Sequence, residues 1–219
     1  MLTTRLWQTI EPVYAAILAH PFVTGLADGT LPRESFRAYV VQDAHYLRDY
    51  AKALAVLAGR ARSDDDVLTL ARHAAGAIEV ERSLHDSFLR DFGLSPADVA
   101  ATPLSPTTLA YTSYLLATVH DGSFAEGMAA VLPCYWIYRE VGQELLRRGS
   151  PDPLYSRWIA TYGGEEFAAV VREALAILDA AGAGLGPEEL ARVQRHFLTT
   201  SRYEWLFWDA AWRREQWPI

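Results

Sequence analysis

The residues that could do chemistry stand out by where they fall in the helical period. Cys134, the single cysteine of the chain, is in line with Val131, Tyr138, Val141 and Leu145, so a thiol and a tyrosine hydroxyl occupy successive turns of one apolar face. Asp43 shares a face with Phe36, Val40, Leu47 and Tyr50, and Tyr46 lies one turn beyond it. Glu204 sits between Val193, Phe197 and Trp208 in the same manner. Three helices thus each aim a reactive group at the core. A buried carboxylate without partners is costly and tends to take up a proton, so these groups must meet partners, water or a ligand. An internal polar cavity holding a thiol and two carboxyl groups is the simplest resolution.

Each residue also has a plainer reading. A free cysteine is more often a small buried hydrophobe than a nucleophile. Asp43 could pair with an arginine or accept tyrosine hydrogen bonds, and Glu204 could serve a buried tyrosine. Tyr46, Tyr111, Tyr138 and Tyr162 could be ordinary core aromatics. The coincidence of three inward reactive groups is what these plainer readings leave unexplained. Pro133 precedes the cysteine and removes one backbone hydrogen bond, which sets the thiol beside an expected kink with the Ala129 carbonyl freed.

Other candidates carry less. Glu81 and His85 share a face with Ala74, Ile78 and Phe88 and could ligate a metal. Carboxylate-bridged di-iron bundles, however, use Glu-x-x-His pairs on two helices, whereas the spacing here is Glu-x-x-x-His and no second pair occurs. A structural Glu–His hydrogen bond is the competing reading, and no metal site is expected. His20 precedes Pro21 at a helix end, where an imidazole can cap carbonyls or, in a haem-binding bundle, act as an axial ligand. His45, His73, His120 and His196 show no partner pattern.

The elements that must position these groups are helices throughout. Apolar residues recur at three- and four-residue spacing, and no segment alternates between turn signals as a strand would. The spacing predicts an all-α bundle with helices near 4–19, 33–59, 65–92, 106–118, 123–148, 152–161, 164–181 and 187–214. Thr30 with Pro32, Ser95-Pro96, Ser105-Pro106 and Gly186-Pro187 each read as a cap or turn residue followed by a proline in the first helical turn. The run from Gly149 to Pro153 is the clearest stop. Short connections of this kind join antiparallel neighbours, and the 219 residues fit one domain, 1–219.

Bulk properties exclude some functions. A net charge of −7 with scattered arginines disfavours nucleic acid, which binds clustered basic faces. The N-terminal stretch carries Arg5, Glu11 and Pro12 among its apolar residues and does not read as a signal peptide. No run approaches the roughly 18 apolar residues that span a bilayer. A lone thiol is most at home in a reducing compartment, so the cytoplasm is expected.

Taken in order, the residues His20-Pro21-Phe22, Gly29-Thr30-Leu31, Phe36, Tyr39, Gln42-Asp43, Tyr46-Leu47, Cys134-Tyr135-Trp136-Ile137-Tyr138, Trp158, Tyr162, Tyr203-Glu204 and Phe207-Trp208 resemble the TenA, or thiaminase II, family of haem-oxygenase-like helical bundles. The resemblance covers essentially the whole chain. One branch of that family relies on a glutamate in place of the cysteine, and this sequence resembles the cysteine branch.

The resemblance implies Cys134 as nucleophile, Glu204 as the acid–base group and Asp43 as the carboxylate that binds an aminopyrimidine. Tyr46, Tyr138 and Tyr162 would be supporting hydroxyls, with Tyr46 and Tyr138 as candidate donors to a thiolate. Tyr111 and Phe207 would enclose the ring. The implied reaction is hydrolysis of thiamin or of an aminomethylpyrimidine breakdown product, without a cofactor. Glu204 would protonate the ring, Cys134 would attack the carbon next to the one bearing the methylene, and the methylene substituent would depart before water adds. The resemblance also implies a homotetramer. The Trp-rich end, with Trp205, Trp208, Trp212 and Trp217, offers aromatic surface for assembly, or else packs against the first helix. Two other classes stay open on the residues alone: an oxidase on the same bundle, cofactorless, metal-dependent or haem-dependent, and a non-enzymatic regulatory protein.

Overall fold

Strong capping signals divide the chain. Ser95, Ser105, Ser123 and Asp152 each accept a backbone N–H of the first turn that follows them, and Ser95 and Ser123 do so in reciprocal capping boxes with Asp98 and Glu126. Pro21, Pro96, Pro106, Pro153 and Pro187 open their helices, where a missing N–H costs nothing. The computed structural model describes the backbone of residues 1–219 and every side chain except those of Glu81, Leu84, His85 and Asp86. Its helices are α1 (Leu2–Leu18), α2 (Pro21–Asp28), α3 (Arg33–Arg60), α4 (Asp64–Leu84), α5 (Pro96–Ala101), α6 (Pro106–Asp121), α7 (Phe124–Arg148), α8 (Pro153–Gly163), α9 (Glu165–Gly182) and α10 (Pro187–Arg213), and a π turn, His85–Leu89, continues α4. No strand occurs among the described residues.

The all-α expectation therefore holds, with two differences. The short helices α2 and α5 fall in stretches read as connections, because eight and six residues are too few to show a period. The segment expected to run to residue 92 leaves α-helical geometry at the π turn, and Gly93 then takes a positive φ of 66°. Helix α7 runs through Pro133, in keeping with the expected span of 123–148.

Helix α7 is the hub and packs against α3, α6, α8, α9 and α10, with a core of fully buried rings including Tyr39, Tyr111, Trp158 and Trp208. It approaches α8 glycine to glycine. A Cβ added at Gly142 would stand 2.5 Å from the Tyr162 carbonyl carbon and 2.6 Å from the Gly163 nitrogen. This contact sets Tyr162 against Tyr138, with ring centroids 4.9 Å apart. Backbone cannot yield as a flexible side chain can, so Gly142→Ala is expected to cost about 1–3 kcal/mol of stability. Thermal unfolding should show Tm lowered by roughly 2 to 12 °C.

The ends are tied by specific contacts. His20 caps α2 by accepting the Phe22 N–H at its Nδ1, 3.1 Å away, so it serves a helix start and not the carbonyls expected of it. Its Nε2 lies 3.5 Å from Asp209, and burial lowers the imidazole pKa. Among the C-terminal tryptophans, Trp208 is in the core, Trp205 meets His20 edge to face, and the Trp217 indole donates to the Leu104 carbonyl. No single helix is long and apolar enough to cross a membrane.

Candidate active site

Helices α3, α7 and α10 bring Asp43, Cys134 and Glu204 together in one buried cluster. Asp43 is 3% exposed and Glu204 1% exposed. Burial alone pushes the Asp43 carboxyl up to about 7, and its Oδ2 has no hydrogen-bond partner. Burial also raises Glu204, to about 8; the Tyr111 hydroxyl, donating to Oε1 at 2.6 Å, works against the rise, and the Asp43 charge adds to it. The half-buried Cys134 is pushed well above the usual thiol range by burial and then by the Glu204 and Asp43 charges, while the Tyr46 and Tyr50 hydroxyls oppose that rise. The resting site therefore holds a neutral thiol and a mostly protonated Glu204 at neutral pH, with Asp43 near the midpoint of its titration.

Aromatic rings form the walls. Tyr46 lies 4.9 Å from Tyr111, 5.6 Å from Phe207 and 5.5 Å, stacked, from Tyr50. Tyr138 stacks on Trp208 at 5.1 Å, and its hydroxyl accepts from Tyr39, 3.3 Å away. Tyr162 feels the charges of Asp43, Cys134 and Glu204. All eight side chains singled out in the sequence thus belong to one cluster. Three buried polar atoms in or beside it have no partner within the described residues: Asp43 Oδ2, the Tyr46 hydroxyl and the Trp208 indole nitrogen. Leaving such atoms unpaired costs about 1–3 kcal/mol each, so a ligand that supplies complementary donors and acceptors is favoured. One acceptor and two donors on rigid supports suit a planar heterocycle carrying an amino group.

Sequence reasoning missed two of these parts. Tyr50 was placed on the Asp43 face without a role, although that register was its signal. The indole N–H of Trp208 had no signal beyond its position in an apolar stripe. Tyr138, considered a donor to the thiol, has its hydroxyl against Tyr39, and Tyr50 stands with Tyr46 opposite the sulfur.

Phe207 also lines an outer cavity of about 600 Å³, with Arg37, Gln42, Thr108, Glu215 and Trp217. Its ring packs on Tyr39 and Tyr46, so it forms a wall shared by the chamber and this cavity. No group of three or more His, Cys, Asp or Glu side chains suited to a metal occurs among the described residues. Glu81 and His85, considered as metal ligands, lie outside the described residues.

Residues 7–214 match the model of the TENA/THI-4/PQQC family. The chain is 42% identical over 212 residues to the thiamine biosynthesis multifunctional protein ThiED of Corynebacterium efficiens, covering 97% of this chain but only 28% of that protein. It is 40% identical over 198 residues to the aminopyrimidine aminohydrolase of Bacillus subtilis, covering 90% of this chain and 84% of the relative. A TenA homologue from P. horikoshii OT3 superposes with a TM-score of 0.88 at 33% identity, over 97% of this chain and 99% of that one. A domain with a haem-oxygenase-like fold from Shewanella denitrificans superposes with a TM-score of 0.76 at 17% identity, covering 97% of this chain and 92% of that domain, a likeness of fold alone.

Proposed function

The chain belongs to the TENA/THI-4/PQQC family, and from that premise we propose that it is an aminopyrimidine hydrolase of thiamin metabolism working through a covalent adduct on Cys134. The observation that carries the proposal is the convergence of one thiol and two buried carboxyls, both raised well above the usual carboxylate range, in an aromatic cluster where Asp43 Oδ2 lacks a partner.

Asp43, with its pKa near 7, accepts the exocyclic amine of the ring in its ionised form, a charge-assisted contact that selects an amino over an oxo substituent. Tyr111 and Phe207 enclose the ring, with Tyr162 and Tyr138 as the hydroxyl-bearing wall. Glu204, with its pKa near 8, is mostly protonated at neutral pH and donates to a ring nitrogen. The sulfur of Cys134 then adds to the carbon beside the one bearing the methylene, the methylene substituent leaves, water adds in its place, and the thiol is expelled. Tyr46 and Tyr50 stabilise negative charge on the sulfur as the bond forms and breaks. The reading goes with a cytoplasmic homo-oligomer, a homotetramer on the family resemblance; the lone cysteine and the exposed Val67 and Leu68 of α4 support it.

The leaving group decides the preferred substrate. Phe207 closes the chamber toward the outer cavity, so a thiazolium must displace that ring whereas ammonia need not. Turnover measured side by side should give kcat/KM for an aminomethylpyrimidine about tenfold or more above that for thiamin. Failure of both compounds to turn over would sink the hydrolase reading.

A further inference from the structure

Catalysis by Cys134 leaves its proton without a destination. Asp43 is engaged with the exocyclic amine, and Glu204, which holds a proton at neutral pH, is committed to the ring. A base lies on the other side of α7. Tyr135, the residue after the cysteine, sets its hydroxyl 3.2 Å from Nδ1 of His73 on α4. Nε2 of His73 is 2.8 Å from Glu173 Oε2 on α9, and Arg72 donates to both oxygens of that carboxylate at 2.9 Å.

The carboxylate fixes the tautomer. Glu173 accepts the Nε2 hydrogen, so Nδ1 presents its lone pair to the Tyr135 hydroxyl. Burial lowers His73, so its lone pair is free at pH 7, and Glu173 offsets part of that fall by favouring the imidazolium. Tyr50 completes the connection: its ring meets Tyr135 edge to face at 5.5 Å, and its hydroxyl interacts with both the Tyr135 hydroxyl and the Cys134 thiol. At rest the Tyr50 hydroxyl donates to the Val131 carbonyl at 2.9 Å, so it needs only to rotate about its C–O bond to join the path.

We infer that Tyr50, Tyr135 and His73 conduct the Cys134 proton out of the chamber as the carbon–sulfur bond forms and return it when the thiol departs. The inference rests on Cys134 being the nucleophile. Sulfur contributes the electron pair of the new bond, and the ring nitrogen takes the Glu204 proton with the displaced ring electrons. The S–H proton moves to the Tyr50 oxygen, the Tyr50 proton to the Tyr135 oxygen and the Tyr135 proton to Nδ1, leaving an imidazolium facing Glu173. The expelled thiolate recovers a proton by the reverse path. Tyr135 and His73 are positioning residues, since neither touches the substrate.

The same contacts also tie α4 and α9 to α7, so the test must separate a relay from a clamp. Tyr135→Phe keeps the ring and removes the hydroxyl, and His73→Gln keeps a polar side chain and removes the base. Both are expected to lower kcat by about 10- to 100-fold with KM changed less than threefold. The groups facing His73 are Arg72 on its own helix, Glu173 on α9 and Tyr135 on α7, with Tyr50 on α3 behind it. Protonation of His73 below its ordinary value should give kcat/KM an acid limb that is absent in His73→Gln. Rates in mixtures of light and heavy water should follow a curved proton inventory in the wild type and a linear one in both variants. Unchanged kcat, or a loss that tracks a lowered Tm with the wild-type pH profile and inventory, would overturn the relay. If Cys134→Ser is inactive while both variants behave as wild type, the relay alone fails; if Cys134→Ser stays active, the nucleophile assignment fails first.

Discussion

Cys134→Ser is expected to lower kcat by at least about a thousandfold while the dissociation constant for an aminopyrimidine changes less than threefold. A serine hydroxyl is far less acidic than a thiol and is a poorer nucleophile and leaving group. The site makes matters worse for it, because burial and the neighbouring carboxyls already push even the thiol well above its usual range. Binding should survive, since the atoms without internal partners, Asp43 Oδ2, the Tyr46 hydroxyl and the Trp208 indole nitrogen, are untouched. Steady-state turnover together with calorimetric titration of a nonreactive aminopyrimidine reads both quantities. Turnover near the wild-type level would show that no covalent adduct on this residue is needed, and weakened binding in step with lost turnover would mean that the thiol serves to hold the ring.

The helices that carry the site were legible because their apolar stripes are long. Asp43, Cys134 and Glu204 each sit in the register of buried neighbours on α3, α7 and α10, and a polar residue in such a register has only one side to face. Short helices were not legible: α2 depends on His20 accepting a backbone N–H, which no periodicity announces. Partners across the bundle were equally silent. His73 meets Tyr135 across 62 residues of chain and Glu173 across 100, and nothing in the local sequence of α4 distinguishes this histidine from one merely packed in the core. Protonation states are a further step removed. The family resemblance suggests an activated thiolate, whereas the assembled site keeps the resting thiol neutral, first because burial strips water from the sulfur and then because Glu204 and Asp43 add like charge beside it.

Glu204→Gln is expected to move activity and stability in opposite directions. The amide cannot donate a proton to the ring as a carboxylic acid does, so kcat/KM should fall about 100-fold or more, and the decline expected of the wild type as pH rises through about 8 should vanish. The stability argument follows from the same carboxyl. Its folded-state pKa, about 8, lies above the ordinary value of 4.5, so the folded protein holds a proton that the unfolded chain has released between those limits. Wild-type stability therefore falls as pH rises from about 4.5 to about 8, and the full penalty stands above that range. Glutamine does not titrate, and its carbonyl oxygen still accepts the Tyr111 hydroxyl. Any fixed cost of fitting the amide is the same at both ends of the range and cancels when the variant and wild type are compared at pH 5 and again at pH 8.5. Asp43 titrates in both proteins and cancels likewise to first order. Denaturant unfolding should thus find the variant's relative stability higher at the alkaline end, by an amount on the order of a few kcal/mol. A catalytic acid kept protonated by burial is a liability to the empty fold; a residue retained only for packing would give no such crossing of signs, and equal shifts at both pH values would rule out Glu204 as the proton donor in this chamber.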